Sequence, residues 1–226
     1  MPHSDLHADD LLPEPLPAEP LKLFGAWFSE ARVRNTQPNP DAMVLATVGA
    51  DGTPSARVVL CKQFAADAGY LVFFTNYESR KGQELQAHPR AAAVFHWDAL
   101  HRQVRIEGPV LKSPRTEGDE YFASRPLVSR IGAWASEQSR PLASRATLAA
   151  QVEAARKKFG IAASDATASV PCPPHWGGYR LWIESMELWV EGPGRVHERA
   201  VWRRELQRHD EYSFSAGAWQ ATRLNP

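Results

Sequence analysis

Basic side chains recur beside predicted strand ends and turns, where a phosphate group could be held. The set consists of Arg57, Lys62, Arg80, Lys81, Arg195 and Arg199, with His197 between the last two. A phosphate needs several such donors to converge, because arginine offers a planar fork and lysine a point charge. For any one of these residues the ordinary alternative is a solvated strand edge, where basic side chains discourage aggregation. The pattern therefore suggests phosphate chemistry without identifying a ligand.

Arg57 and Lys62 fall in one predicted strand, over residues 55–63, and this creates a problem of direction. They are five positions apart, so a flat strand points their side chains to opposite faces. If both serve one site, the strand must carry a bulge, lie at a barrel edge, or present the two residues to different ligands.

Other chemistries have weaker support. His88, His96 and His101 share no ligand spacing with cysteines or acids, so no metal site is expected. The chain has no Gly-x-Gly-x-x-Gly or Walker loop and no Ser/His/Asp order typical of a hydrolase, and Cys61 shows no sign of activation. From spacing alone, the sequence supports a soluble β-rich domain, with phosphate binding as its most specific suggestion.

Four helical stretches are predicted from apolar spacing and capping residues. They cover residues 21–31, 79–85, 117–124 and 144–159. The third is interrupted at Pro126, which cannot continue a helix. The fourth is the clearest, because Ser144 suits its N-cap and Gly160 suits the position after its C-terminus.

Short β-rich runs alternate with turn signals along most of the chain. Strands are predicted over residues 43–48, 55–63, 70–75, 91–97, 103–111, 178–184, 186–190 and 195–204, with a last β-like piece ending at Leu224. Residues 49–52 (GADG) predict a hairpin turn between the first two. Residues 1–20 contain five prolines, five acids and no Lys or Arg, which predicts a poorly ordered tail. Residues 21–226 are then one α+β domain, mainly antiparallel and barrel-like, with peripheral helices.

Composition excludes several classes of protein. The 226 residues are 43% hydrophobic and 23% charged, and no apolar run is long enough to span a membrane. Lys plus Arg equals Asp plus Glu at 26 each, so bulk charge gives no reason to expect nucleic acid as a partner. Two cysteines are too few for a disulfide framework, and no signal peptide is recognisable. A cytoplasmic location is the expectation.

Several short segments, in order along the chain, resemble the pyridoxine/pyridoxamine 5'-phosphate oxidase family. They are residues 57–62 (RVVLCK), 75–82 (TNYESRKG), 102–104 (RQV), 121–126 (YFASRP), 129–136 (SRIGAWAS), 138–139 (QS), 176–180 (WGGYR), 187–189 (ELW) and 195–199 (RVHER). One such segment would be weak, but their common order makes chance matching improbable. The resemblance covers roughly residues 20–226.

The resemblance implies a split-barrel fold in a homodimer, with FMN held at the subunit interface. Carried over position by position, the implied flavin contacts are Arg57, Phe74, Thr75, Arg80, Lys81, Gln103, Gln138, Ser139, Trp189 and Arg199. The implied contacts of the substrate phosphate are Lys62, Tyr121, Arg125 and Ser129. Arg195 and His197 would face the pyridine ring as the catalytic pair. On this reading Arg57 serves the flavin and Lys62 the substrate, which would resolve the problem of direction.

The implied reaction is the oxidation of pyridoxine or pyridoxamine 5'-phosphate to pyridoxal 5'-phosphate. FMN accepts a hydride from the substrate, and dioxygen reoxidises it to give hydrogen peroxide. The phosphate clamp would fix the substrate against the flavin, so that positioning lowers the barrier. The residues do not identify a general base.

Some positions depart from the family pattern. Cys61, Phe74 and Leu188 replace residues that are usually Leu, Tyr and Phe, and they are interpreted as packing changes. The first 20 residues lack an Arg-x-x-Tyr element that some relatives place over the substrate, and residues 205–217 form a longer stretch than usual.

Three other functions remain open. The nearest is a related FMN oxidase on the same barrel that acts on a phenazine-type substrate. Such an enzyme would keep the flavin residues but need not keep the phosphate clamp. The second is a non-catalytic flavin or pyridoxal-phosphate carrier, which turnover under air would exclude. A purely structural domain is the weakest of the three.

Overall fold

A computed structural model describes residues 11–162, 165 and 168–226. The helices are α1 (Leu21–Arg34), α2 (Arg80–Ala87), α3 (Arg115–Ser124), α4 (Leu127–Ala135) and α5 (Arg145–Lys158). The longer strands are β1 (Ala42–Val48), β2 (Pro54–Leu60), β4 (Tyr70–Asn76), β5 (Arg90–Trp97), β6 (Arg102–Lys112), β7 (Trp176–Trp182), β8 (Ser185–Val190), β9 (Glu198–Arg203) and β12 (Gln220–Leu224). The short strands are β3 (Gln63–Ala65), β10 (Leu206–Arg208) and β11 (Phe214–Ala216).

The main sheet is antiparallel and curls on itself. Its strands run in the order β12-β9-β8-β6-β5-β1-β2, while β7 joins β6 to β4, and β4 pairs with β3. β1 and β2 form the predicted hairpin, with Val48 opposite Pro54. This arrangement confirms the predicted α+β class, with mainly antiparallel strands and helices at the periphery.

β6 connects the two halves of the sheet. Its first part lies between β5 and β8, and its last residues pair with β7. Gly108 marks the point of change, because a Cβ there would lie 1.8 Å from the carbonyl oxygen of Trp182. Only glycine permits this close approach of two backbones.

The larger core is built by α1 on the sheet. The apolar face of α1 buries Phe24, Trp27, Phe28 and Ala31, as the helical spacing predicted. Phe24 packs against Phe95 of β5 with 5.6 Å between ring centroids. No helix of the described residues has both the length and the apolar character that crossing a membrane requires.

A second, smaller core lies under α3, α4 and α5. Phe122, Ile131, Ala155 and Trp176 are buried together there. The sequence predicted α5 correctly: Ser144 Oγ accepts from the Thr147 amide at 3.1 Å, and Gly160 has φ +64°. It missed α4, because Pro126 ends one helix and also serves as the N-cap residue of the next, where its absent N–H costs nothing.

Residues 11–20 differ from the expectation of a poorly ordered tail. Leu12 is only 4% exposed, and its amide donates to Glu198 Oε2 at 2.8 Å. Further along, the carbonyl of Pro17 accepts from Trp202 Nε1 at 2.9 Å. Side chains of β9 therefore satisfy both an amide and a carbonyl of this proline-rich segment. Residues 1–10 lie outside the described residues, and a single domain over 21–226 stays a prediction.

The C-terminal third corrects two boundaries. β9 begins at Glu198, because Pro193–Arg195 forms a 3₁₀ turn in which Gly194 and Arg195 have positive φ. The long stretch over residues 205–217 contains a hairpin, in which β10 pairs with β11. This hairpin folds back on the barrel, where Phe214 contacts Trp182 with 5.6 Å between ring centroids.

Candidate active site

A cleft of about 360 Å³ lies beside β2 and β4. Its lining contains a large part of the predicted site: Arg57, Lys62, Phe74, Thr75, Lys81, Tyr121, Arg125 and Gln138. Val58, Val59, Leu60 and Trp176 complete it. Residues predicted for flavin and residues predicted for substrate thus share one cavity.

Arg57 and Lys62 both reach the cleft because the strand that was expected to hold them is shorter. β2 ends at Leu60, so Lys62 lies in the connection to β3, which is a correction to the predicted strand over residues 55–63. The Lys62 amide donates to the Val72 carbonyl, and Lys62 Nζ lies 3.1 Å from Asp41 Oδ2. Ending the strand removes the alternation that would have separated the two side chains.

Lys81 is held at the start of α2 by uncharged acceptors. Ser79 caps this helix as predicted, accepting from the Gly82 amide. Lys81 Nζ donates to Thr75 Oγ1 at 3.1 Å, to Ser79 Oγ at 3.2 Å and to Gln138 Oε1 at 2.8 Å. Burial, followed by the positive charge of Arg57, lowers the pKa of Lys81 to about 8, against the opposing effect of Glu84. An anionic ligand near Lys81 would therefore stabilise the charged form of its amine.

Gln138 reaches the cleft from the segment between α4 and α5. Its Oε1 accepts from Thr75 Oγ1 at 3.2 Å as well as from Lys81. The next residue, Ser139, has φ +71°, a left-handed conformation that non-glycine residues seldom adopt. Ser139 itself lines a neighbouring cavity rather than the cleft. A strained turn therefore places the amide of Gln138.

Three nearly parallel aromatic rings form one wall. Phe74 stacks on Tyr121 with 4.1 Å between centroids and a 16° interplanar angle, and on Trp176 at 5.5 Å and 8°. The wall fixes Tyr121 beside the cleft by ring contact. Sequence reasoning did not place Trp176 in the site, although it begins one of the quoted segments, residues 176–180.

Arg125 lies against this wall. Its guanidinium carbon is 4.8 Å from the centroid of Trp176, and its Nη1 is buried with no hydrogen-bond partner among the described residues. Burial lowers the pKa of Arg125. A half-buried guanidinium whose Nη1 is buried and unsatisfied is costly unless a ligand supplies the missing acceptor.

Glu84 is a second residue that sequence reasoning missed. It lies on α2 beneath Arg57 and Arg80, and its carboxylate accepts from both. Arg80 does not line the cleft; its side chain is 60% exposed and donates from Nε to Glu84. The available signal was the spacing, because an acid four residues after Arg80 forms a helical pair.

The remaining predicted residues gather on β6, β8 and β9, apart from the cleft residues of the same chain. Gln103 lies opposite Trp189, and Trp189 opposite Arg199, so the three share one face of the sheet. The ring of His197 lies 4.6 Å from that of Trp189. Arg195 is in the preceding turn. We call these five residues the strand-face group.

Two details fix the chemistry of the strand-face group. Glu187 Oε1 accepts from Arg199 at 3.0 and 2.9 Å. His197 Nδ1 accepts from the Gly192 amide at 3.2 Å, which in the neutral ring puts the proton on Nε2. His197 therefore presents a donor.

Ser129 lies in the first turn of α4 and is not among the residues that line the cleft.

Within the described residues no three His, Cys, Asp or Glu side chains gather as a metal site would require. The absence of a metal from the working protein stays a prediction.

Comparison with protein families gives two matches that together span most of the chain. The family model described as pyridoxamine 5'-phosphate oxidase matches residues 29–159. The model described as the pyridoxine 5'-phosphate oxidase C-terminal dimerisation region matches residues 176–226. The strand-face residues from Trp189 onward fall within this second region.

Curated relatives agree with the family matches. Proteins named pyridoxine/pyridoxamine 5'-phosphate oxidase from Burkholderia lata and from Cupriavidus metallidurans are each 50% identical to this chain. Each alignment covers 92% of this chain and 89% of the relative.

Solved structures give the same fold, in one case with a phenazine-type compound bound. PhzG from Burkholderia lata, in complex with tetrahydrophenazine-1-carboxylic acid, superimposes with a TM-score of 0.78 at 28% identity, covering 98% of each chain. An FMN-binding protein from Nostoc punctiforme, related to pyridoxamine 5'-phosphate oxidase, gives a TM-score of 0.65 at 16% identity over 93% of this chain and 98% of that one, which shows the fold alone. The predicted split barrel is confirmed.

Proposed function

The chain belongs to the pyridoxamine 5'-phosphate oxidase family, and on that premise we propose that it is a cytoplasmic FMN-dependent oxidase of vitamin B6 metabolism. Its substrates are pyridoxine 5'-phosphate and pyridoxamine 5'-phosphate, its product is pyridoxal 5'-phosphate, and dioxygen is reduced to hydrogen peroxide. Membership confirms the resemblance read from the sequence and identifies the chain as an oxidoreductase of this family's type.

One observation carries the choice of a phosphorylated substrate. Arg125 lines the cleft with a buried, unsatisfied Nη1, and Lys62 lines the same cavity. Arg125, together with Lys62, which also contacts Asp41, suits a phosphate dianion, because the dianion accepts several charge-assisted hydrogen bonds at once. The hydroxyl of Tyr121, on the same wall, offers a further donor.

The residues around Lys81 fit FMN. Lys81, Arg57 and Arg80 supply positive charge for the phosphate of the cofactor, while Thr75 and Gln138 supply neutral hydrogen-bonding groups for polar atoms. When bound, FMN supplies hydride acceptance from the substrate and reoxidation by dioxygen. The protein supplies position and electrostatics.

The chain's own residues then divide the work. Arg125, Lys62 and Tyr121 hold the substrate phosphate and so limit how the pyridine ring can lie. Ser129 belongs to the same set by family position. Arg195 and His197 are the proposed catalytic pair: the Nε2–H of His197 donates to a polar substituent of the ring, and Arg195 stabilises negative charge there.

A homodimer completes the site in this proposal. The strand-face group does not line the cleft of its own chain, and it overlaps the region that matches the family's dimerisation segment. Val58 is 64% exposed and Val44, its cross-strand partner, is 42% exposed, so an apolar face lies beside the cleft. Burial of this face against a second copy would bring the partner's strand-face group to the cleft.

The direct test is an anaerobic half-reaction. The protein is loaded with FMN, mixed with pyridoxine 5'-phosphate without oxygen, and followed by flavin absorbance. Rapid bleaching, with colour returning when air is admitted, supports the proposal and excludes a passive carrier. A protein that binds no FMN contradicts the proposal as a whole.

A phenazine-type substrate is the second candidate, because PhzG superimposes over nearly the whole chain. The same experiment with a tetrahydrophenazine carboxylic acid distinguishes the two. Bleaching by this compound, with no response to either B6 phosphate, would select the second candidate. That ligand carries a single carboxylate. It therefore offers Arg125 and Lys62 less negative charge and fewer acceptor oxygens than a phosphate dianion does.

A further inference from the structure

Glu84 is a buried carboxylate that contacts two arginines from different elements. It is 5% exposed, although glutamate rarely lies in a protein interior. Its Oε2 accepts from Thr47 Oγ1 at 2.5 Å and from Arg57 Nη2 at 3.0 Å. Its Oε1 accepts from Arg80 Nε at 2.8 Å. The hydroxyl of Ser55 lies within hydrogen-bond distance of both oxygens, at 2.9 and 2.7 Å.

These contacts keep the carboxylate ionised. Burial favours the neutral acid, but hydrogen bonds from Thr47, Ser55, Arg80 and Arg57 outweigh it and lower the pKa of Glu84 to about 2. The group therefore carries a negative charge at neutral pH. A charge in this position is tolerated only because every side of it is met by a donor.

The network fixes Arg57 where it lines the cleft. Both of its Nη atoms are engaged: Nη1 contacts Thr47 Oγ1 and Nη2 contacts Ser55 Oγ as well as Glu84. Arg57 stands on β2 and Arg80 on α2, and Glu84 is the common acceptor that links the two side chains. For Arg80 the bond from Nε is the one recorded within the described residues, which leaves its Nη hydrogens for another acceptor.

We propose that Glu84 is a positioning residue, which orients Arg57 and Arg80 for the phosphate of FMN. The proposal rests on the proposed function, because it requires FMN as the ligand. The phosphate is the part of FMN that carries a double negative charge. Arg57, Arg80 and the neighbouring Lys81 are where the predicted flavin residues concentrate positive charge in this chain.

The negative charge of Glu84 and its role in holding two arginines predict opposite changes in FMN affinity when Glu84 is removed. The proposal can therefore be tested. As a negative charge near an anion site, Glu84 opposes phosphate binding, so its removal should tighten FMN binding. As the acceptor that holds two arginines, it favours phosphate binding, so its removal should weaken FMN binding. The sign of the change therefore decides between the two roles.

The experiment measures FMN and riboflavin affinity by quenching of flavin fluorescence, with Glu84→Ala and Glu84→Gln. Riboflavin has the same ring and ribityl chain but no phosphate. We expect Glu84→Ala to weaken FMN binding by about tenfold or more, as loss of a charged hydrogen-bond partner does, and to leave riboflavin binding within about twofold. Glu84→Gln keeps one acceptor oxygen and should give an intermediate loss.

Glu153→Gln is the matched control. Glu153 is an exposed acid on α5 with a 4.0 Å contact to Arg156, and its loss should change neither affinity. Circular dichroism and thermal melting establish that each variant is folded. If Glu84→Ala does not fold, Ser55→Ala removes the hydroxyl that lies within reach of both carboxylate oxygens and should weaken FMN binding more than riboflavin binding.

Three outcomes would overturn the inference. Tighter FMN binding in both Glu84 variants would show that charge dominates. Equal losses of FMN and riboflavin affinity would show a general structural role. Unchanged FMN affinity in a folded Glu84→Ala would show no role. Failure of the unaltered protein to bind FMN is a separate result, which removes the proposed function and this inference with it.

Discussion

The cleft holds two cations without a carboxylate partner among the described residues, beside Lys62 and Arg57, which are paired with Asp41 and Glu84, whereas Arg199 of the strand-face group is paired. In the cleft, Lys81 is held by a hydroxyl pair and an amide, and Arg125 by aromatic faces, with no carboxylate partner for either among the described residues. On the strand face, Arg199 is paired with Glu187 at 2.9 Å, and Glu187 also accepts from Arg105 at 3.1 Å. A cation without a counterion attracts an anionic ligand most strongly, whereas a paired one is held in place by its carboxylate.

The two regions also differ in construction. The strand-face group uses neighbouring strands in register, so its geometry follows from the sheet. The cleft combines a strand end, a helix start, the end of α3 and the strained turn at Ser139. This contrast fits the proposal that the cleft receives the ligands and that the strand face completes another chain's cleft.

Mixed dimers give the largest expected effect. Arg125→Ala and His197→Ala should each inactivate the homodimer, because every site then lacks one required residue. In hybrids of the two chains, one site has both defects and the other has none, so random mixing should restore about a quarter of the activity of the unaltered protein. Hybrids purified through different tags on the two chains keep one intact site of two, so they should show about half of the activity of the unaltered protein. No recovery would place both residues in the cleft of one chain and reject the division drawn here.

Single variants should separate the two regions next. Arg125→Ala should lower kcat/KM for pyridoxine 5'-phosphate by about 100-fold, as expected when a buried charged partner is removed, while FMN stays bound. Steady-state kinetics and the flavin content after gel filtration measure the two effects. Arg145→Ala, at an exposed position at the start of α5, is the control. Loss of flavin from a folded Arg125→Ala protein would contradict the assignment of Arg125 to substrate.

Lys81 has no carboxylate partner among the described residues, which predicts that the affinity for FMN depends on pH. Its pKa in the free protein is lowered to about 8, and a bound phosphate would raise it by favouring the charged form. Binding above that pH therefore takes up a proton, so FMN affinity should fall by up to about tenfold per pH unit as pH rises through this range. Fluorescence titrations from about pH 7 to about pH 9 measure it. Lys81→Arg, which stays charged, should show a flat profile; a flat profile for the unaltered protein would reject the assignment.

The smallest effect concerns the support of the cleft. Ser144→Ala removes the hydrogen bond to the Thr147 amide at the start of α5 and should lower stability by about 1 kcal/mol. For a chain of this size that is a fall in Tm of about 2–4 °C. Ser144→Asp keeps the cap and should keep the Tm. If Ser144→Ala leaves the Tm unchanged, the cap contributes nothing measurable.

Local patterns predicted what local physics controls. The apolar spacing of α1, the Ser144 cap and the positive φ at Gly160 were all readable from neighbouring residues. Pro126 was misleading, because the same residue that ends one helix opens another. Arg57 and Lys62 reach the same cleft because β2 stops pairing with β1 at Leu60. The spacing of residues in the sequence does not show where this pairing ends.

The candidate site was predicted mainly through family resemblance, and the residues that resemblance did not mark were missed. Trp176 and Glu84 act through contacts with Arg125 and Arg57, so their importance depends on tertiary position. The separation of the strand-face group from the cleft was also beyond the sequence, because it depends on how the sheet curls.

The central position of β6 has a consequence for the newly synthesised chain. This strand pairs with β7 and β8, which are synthesised only after α3, α4 and α5. β4 likewise pairs with β7, which is synthesised much later. Until that last quarter leaves the ribosome, both strands keep unpaired edges, the condition under which nascent β proteins aggregate. Translation that stalls before Trp176 should therefore yield a chaperone client rather than a partly working enzyme.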